Sequence, residues 1–209
     1  MTPTIFDIET TAIDNFRTLE GLERIHCLVI RHGDRVDTYY GDHVEKGLRY
    51  LSMADIIVGH NAIGFDIPAI QKLYPDWKPD GMVRDTLLLA RLKYPDQKNL
   101  DFSRPDVDLP RKLIGSHSLE AWGYRLGVHK GVYGEHPNAW DEFNDDMLEY
   151  CIQDTLVTQR LYEAVASEKD DLNAVVLEHQ FAEIIEQQEK NGFAFDLNRA
   201  AELYGEWSQ

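Results

Sequence analysis

The tightest constraint on how this chain can fold lies in residues 4–9, TIFDIE. Ile5, Phe6 and Ile8 make a short, β-favouring apolar run that reads as a buried strand. Side chains two apart on a strand share a face, so Asp7 and Glu9 stand together. Two adjacent carboxylates on a buried strand repel each other and lose hydration, so they need a cation or protons to be tolerated. The plainer alternative is a strand end at which both acids reach water.

The rest of the chain supplies the frame. IHCLVIR (25–31) and RVDTYYG (35–41) read as strands joined by the turn His32-Gly33-Asp34, and ADIIVGH (54–60) as a fourth strand. A helical pattern runs from Ile67 to Tyr74, a short strand from Met82 to Arg84 and a helix from Thr86 to Lys93. Residues 118–126 read as a helix capped by Ser118 and closed by Gly127. Asn144 caps a long helix to about Ala166, with Asp145 and Asp146 suited to the positive end of its dipole. Strands pairing as hairpins, then alternating with helices, predict an α/β fold: a mixed sheet with helices on its faces. Residues 91–112, with Pro95, Pro105 and Pro110, read as a long loop. Ser167 to Asn173 reads as a linker, Val175 to Lys190 as a helix, Asn191-Gly192 as a stop, and Asp196 as the cap of a last helix. Those carboxy-terminal helices are too small for a domain of their own, and the expectation is a cut through something larger.

Charge sets a tension. The 209 residues carry a net charge of −16. A protein that coats duplex DNA usually has the opposite sign, because neutralising phosphates supplies most non-specific affinity. An enzyme that grips a strand end through metal ions is still allowed, since bound cations invert the local electrostatics. Residues 91–112 lean basic, with six basic side chains against four acidic, and suit a solvated loop or a DNA-contacting one. No apolar run reaches the roughly 20 residues that span a bilayer, and MTPTIFDIET lacks the marks of a secretory signal. Cys27 and Cys151 read as plain buried thiols and fit a reducing cytoplasm. The expectation is a cytoplasmic protein without a membrane partner.

Two further segments carry acids. In GHNAIGFDIPAI (59–70), Asp66 either caps the helix that follows or points elsewhere; Asn61 and Phe65 suit a turn residue and a core aromatic. Tyr150 and Asp154 lie four apart on the long helix and project together, as an exposed pair or as part of a site. Asp85 reads as a helix cap, His60 as a strand-end residue, His117 as a packing or hydrogen-bonding residue, and Trp122 and Tyr124 as helix core. Neither histidine is assigned a metal.

Taken in order, D-x-E on the first strand, N-x4-D opening a helix and Y-x3-D on a late helix resemble the three motifs of the DEDD exonucleases, in their tyrosine subclass. The resemblance implies a ribonuclease-H-like fold, a mixed sheet with helices on both faces. FDIET and YCIQD also resemble family B polymerase exonucleases, which usually follow a sizeable amino-terminal domain, whereas the first motif here begins at residue 5. GSHSLEAWGYRLG (115–127) and LEHQFAEIIEQQEKNGFAFDLNRAAELY (177–204) resemble the family A polymerases of T-seven-like bacteriophages; residues 129–143 match least. Residues 1–168 are then expected to be a proofreading 3′→5′ exonuclease domain, and 169–209 the start of a polymerase domain in a longer parent chain. Trimmed to about Ala166, the chain is expected to keep metal-dependent hydrolysis.

The resemblance assigns roles as well. Hard oxygen donors favour Mg²⁺ or Mn²⁺, and two ions about 3.5–4 Å apart are usual for nucleases. Asp7 is shared by both ions, Glu9 and Asp154 complete the tighter one, and Asp66 acts mostly through water on the second. Tyr150 orients the attacking water. Thr10 contacts the terminal nucleotide through its backbone, Ile13 either meets its base or is a core isoleucine, and Asn61 and Phe65 belong to the same substrate-binding set. The partner is a single-stranded or frayed DNA 3′ end, and the usual docking region for a processivity factor lies outside this sequence. Localisation would be the cytoplasm of an infected bacterium. Alternatives are a free-standing DEDD exoribonuclease and an inactive clamp.

Overall fold

The computed structural model describes residues 2–11, 19, 21–128, 133, 139–166 and 172–208. Its elements are β1 (Thr4–Thr10), β2 (Ile25–His32), β3 (Arg35–Tyr40), α1 (Val44–Ser52), β4 (Ile56–Gly59), α2 (Asp66–Leu73), β5 (Met82–Asp85), α3 (Thr86–Lys93), α4 (Gln97–Phe102), α5 (Leu119–Leu126), α6 (Asp145–Val165), α7 (Leu172–Asn191) and α8 (Leu197–Trp207). The strands form one sheet in the order β3-β2-β1-β4-β5. Both β3 and β1 run antiparallel to β2, whereas β4 is parallel to β1 and β5 is parallel to β4. This is a mixed sheet, as the sequence predicts.

Alternation along β1 divides the core. Phe6 and Ile8 join Leu28, Ile30 and Ile57 against Val44, Leu48 and Leu51 of α1 and Ala69 and Ile70 of α2. On the other face Cys27 and Val29 of β2 pack on Met147 and Cys151 of α6. Asp7 and Glu9 pair in register with Val29 and Cys27, so they share the face that α6 covers. A third cluster, with Leu89 and Ala90 of α3, Leu119 and Trp122 of α5, Val157, Leu161 and Val165 of α6 and Val175 of α7, fixes how the helices stand beside the sheet.

The caps follow the sequence reading. Ser118 Oγ accepts from Ala121 N at 3.3 Å, Gly127 closes α5 with φ 68°, and Asn144 Oδ1 accepts from Met147 N at 2.8 Å. Two stretches differ. Residues 44–52, to which the sequence reading assigns no element, form α1; it comes close to the sheet at Gly47, where a Cβ would stand 2.6 Å from Cγ of Tyr39. The expected loop 91–112 contains α4 and a 3-10 turn over Arg111–Leu113. Six residues cannot hold a helix by propensity alone. Here Asp101, at its end, accepts two bonds from Arg125, at 2.9 and 2.8 Å, and one from Gly115 N at 2.8 Å. The expected linker gives way to helix by Leu172; residues 167–171 lie outside the described set.

Candidate active site

The turn between β4 and α2 decides where Asp66 points. Asn61 sits in the left-handed region, with φ 61°, uncommon for a residue with a side chain. The carboxylate of Asp85 holds it there, accepting from Asn61 N at 2.9 Å and from Ile63 N at 3.1 Å. The same carboxylate caps α3 through Leu87 N at 2.9 Å, as the sequence predicts, and is 2% exposed. Gly64 N and Phe65 N both donate to the carbonyl of Asn61, at 3.1 and 2.9 Å. A Cβ on Gly64 would lie 2.7 Å from Asn61 Oδ1, so a small residue suits this turn. Phe65, not Asp66, is the cap residue of α2, and Asp66 lies in the first turn with 4% of its surface exposed.

Asp66 is thus a buried acid among acids. Burial pushes its carboxyl up to about 7, and the charges of Asp85 and Asp154 push the same way, against the N–H groups of Asp66 itself and Ile8. Asp154 is 4% exposed and Glu9 8%. Cys151, one turn before Thr155 on α6, donates weakly from Sγ to the carbonyl oxygen and to Oδ2 of Asp7, each at 3.5 Å. One ligand atom from each of Asp7, Glu9 and Cys151 falls within 4.8 Å of the others. The sequence reading makes Cys151 a plain buried thiol; the fold buries it but brings it to the acid pair, and burial beside Cys27 and Asp7 raises its pKa well above the usual thiol value.

Asp7, Glu9, Asn61, Phe65, Asp66, Tyr150 and Asp154 line one cleft of about 730 Å³. Thr10 is not among its lining residues; it is buried past an irregularity in the β1–β2 register, with its hydroxyl bonded to the Thr11 carbonyl at 3.0 Å. Ile13 lies outside the described residues. Four carboxylates from β1, α2 and α6, three of them buried, suit hard divalent cations, and the burial and neighbouring charges that raise Asp66 are what a cation would offset.

Sequence reasoning misses several wall residues. Trp140 lines the cleft beside Tyr150, with ring centroids 6.0 Å apart, and Tyr133 backs both, 5.8 Å from Tyr150 and 5.4 Å from Trp140. Both come from the stretch 129–143, which has no periodicity to mark it. Arg91 of α3 is the sole Lys or Arg among the described lining residues, and Ala182, Ile185, Glu186 and Glu189 bring α7 to the wall. The repeat of Ala182, Ile185 and Glu189 at helical spacing is visible in the sequence, but nothing local says what it faces.

No family model matches the chain. It is 32% identical over 248 aligned residues to a DNA-directed DNA polymerase of Escherichia phage T7, a match that takes in 97% of the chain and 34% of that polymerase. It is 33% identical over 234 residues to the corresponding enzyme of Enterobacteria phage T3, covering 90% of the chain and 33% of the relative. This chain is a relative of the T7-like phage DNA polymerases. It spans about a third of the length of these curated relatives. Among solved structures, a Trypanosoma brucei RNase D bound to RNA U12 superposes with a TM-score of 0.58 at 17% identity, over 90% of this chain and 63% of that one. Brucella melitensis NrnC with bound Mg²⁺ gives 0.56 at 16% identity, over 91% and 84%. At such identities the likeness establishes the fold alone, which is ribonuclease-H-like. No helix among the described residues of this polymerase relative is long and apolar enough to cross a membrane.

Proposed function

We propose that this chain is a divalent-metal-dependent 3′→5′ exonuclease, the proofreading part of a phage replicative DNA polymerase. The observation that carries the reading is the meeting, in one cleft, of acids from three distant segments with a tyrosine one helical turn from the last acid. Relatedness to two phage polymerases supports the DNA substrate and a longer parent chain in an infected bacterium, where residues 169–209 begin the polymerase domain.

Asp7, Glu9, Asp66 and Asp154 would hold the cations, Mg²⁺ or Mn²⁺. When bound, two such ions supply an acidified water and stabilise the departing 3′ oxygen. Tyr150 orients that water through its hydroxyl. Asn61 and Phe65, in the cleft wall, guide the terminal nucleotide; by the family resemblance Thr10 contacts it through its backbone and Ile13 meets its base. Water attacks the terminal phosphodiester phosphorus, the P–O3′ bond breaks, and a nucleoside 5′-monophosphate leaves. A paired end must first unpair, which favours mismatched ends.

The test incubates the purified chain with labelled single-stranded DNA and, separately, RNA, with and without Mg²⁺. Metal-dependent release of 5′-deoxymononucleotides from the 3′ end is expected. It should fall at least about 100-fold in Asp7→Ala, since even losing an outer-shell partner of a metal costs 10–100-fold. Release at the parental rate by that variant, or cleavage of RNA alone, would defeat the reading.

A further inference from the structure

β5 is an edge strand, and its last residue, Asp85, is 2% exposed. An edge N–H buried this deeply needs an acceptor. His179, from α7, provides it: Asp85 N donates to His179 Nε2 at 2.9 Å. The other ring nitrogen lies 2.8 Å from the Val175 carbonyl, one turn earlier on α7. A carbonyl only accepts and a backbone N–H only donates, so the two partners together fix a neutral ring with its proton on Nδ1. His179 is 6% exposed, and burial lowers its pKa, in keeping with the neutral form.

The bond matters because of what Asp85 does. Its carboxylate holds the N–H groups of Asn61 and Ile63, and those set the turn that delivers Asp66. The path runs from α7 through His179 to the backbone of Asp85, then through its carboxylate to the turn. Nearby on α7, Ala182, Ile185 and Glu189 form one wall of the cleft itself.

We propose that α7 works for the exonuclease although it belongs by sequence to the start of the polymerase part, and that His179 is a positioning residue for Asp66. This rests on the nuclease reading above. It places the functional boundary after α7 and makes trimming to Ala166 damaging to hydrolysis.

The test compares His179→Phe, which keeps an aromatic ring but has no acceptor, with His179→Gln, whose amide oxygen can accept. Both are made in the full chain and checked for parental circular dichroism. His179→Phe should lower kcat on single-stranded DNA by about tenfold, the scale of an outer-shell loss, with KM changed less than twofold. It should also need more Mn²⁺ for half-maximal rate. His179→Gln should recover at least half of the parental kcat. Backbone amide exchange across residues 59–66 should speed up in His179→Phe and not in His179→Gln. Equal rates for folded His179→Phe and parent would overturn the proposal, as would His179→Gln being as impaired as His179→Phe. A parent chain without nuclease activity would sink the nuclease reading instead, and the exchange arm would then decide the role of His179 alone.

Discussion

At the scale of single residues, the proposed roles separate Tyr150 from Asp154, though one helical turn joins them. The phenol orients water; the carboxylate holds an ion. Tyr150→Phe should therefore slow hydrolysis less than Asp154→Ala, and only the latter should weaken the apparent Mn²⁺ affinity in a titration. The reverse pattern would make Tyr150 a ligand. Asp66 adds a pH dependence. Its carboxyl, at about 7 in the metal-free fold against an ordinary 3.8, keeps a proton that the unfolded chain has already lost. Its contribution to stability is thus full below about 3.8 and disappears as pH climbs to about 7. In metal-free buffer the parent's melting temperature should decline through that window relative to Asp66→Asn. The rise in melting temperature caused by Mn²⁺ should grow across the same window, because cation and proton compete for the carboxylate. A parent and variant that keep parallel profiles would remove Asp66 from the metal site. Much of this placement was legible in the sequence: the spacing of Asp7 and Glu9 gives their shared face, and that of Tyr150 and Asp154 their shared turn. Cys151 was not, because its approach to Asp7 depends on how α6 crosses the sheet, which no local pattern encodes.

At the scale of elements, legibility followed how locally each element is determined. Strands β1 and β2 and helix α6 are marked by periodicity and caps in their own sequence. Helix α4 is not: three prolines in residues 91–112 point to a loop, and what holds the helix is Arg125, 24 residues from Asp101. Burial pushes the Asp101 carboxyl up, but Arg125, Gly115 N–H and the Gln97 amide outweigh it and hold the group below its ordinary value. Both side chains are 5% exposed. Removing one partner from a buried pair costs about 3–5 kcal/mol. Arg125→Ala should lose about that in urea unfolding. The ion pair of Arg199 and Glu202 on α8 is more than half exposed on both sides, so Arg199→Ala should change stability by less than about 1 kcal/mol. Similar losses in both variants would mean that Asp101 finds another partner.

At the scale of the whole molecule, and on the proposed function, the net charge of −16 and a cleft with one arginine among its described lining residues limit how DNA can be held. Each phosphate neutralised by a side chain on a single strand contributes about −0.7 to the slope of log affinity against log salt. With Arg91 as the main cationic contact, the salt slope for kcat/KM at fixed Mg²⁺ should lie between zero and about −1. Arg91→Ala should flatten it further. A slope of several units would require basic side chains outside the cleft lining, and would return residues 91–112 to consideration as a DNA-contacting stretch.

The order of the chain along the cleft has a consequence for synthesis. Asp7 is on the central strand β1, which pairs with β2 and then with β4; Asp154 arrives only with α6, and His179 later still. A nascent chain on the ribosome therefore carries the first acids through nearly the whole length of the nuclease before the last ones emerge. On the proposed function, an unfinished or prematurely stopped product has no assembled site with which to degrade the nucleic acid around it. The hydrolytic hazard is switched on only once the late helices have docked.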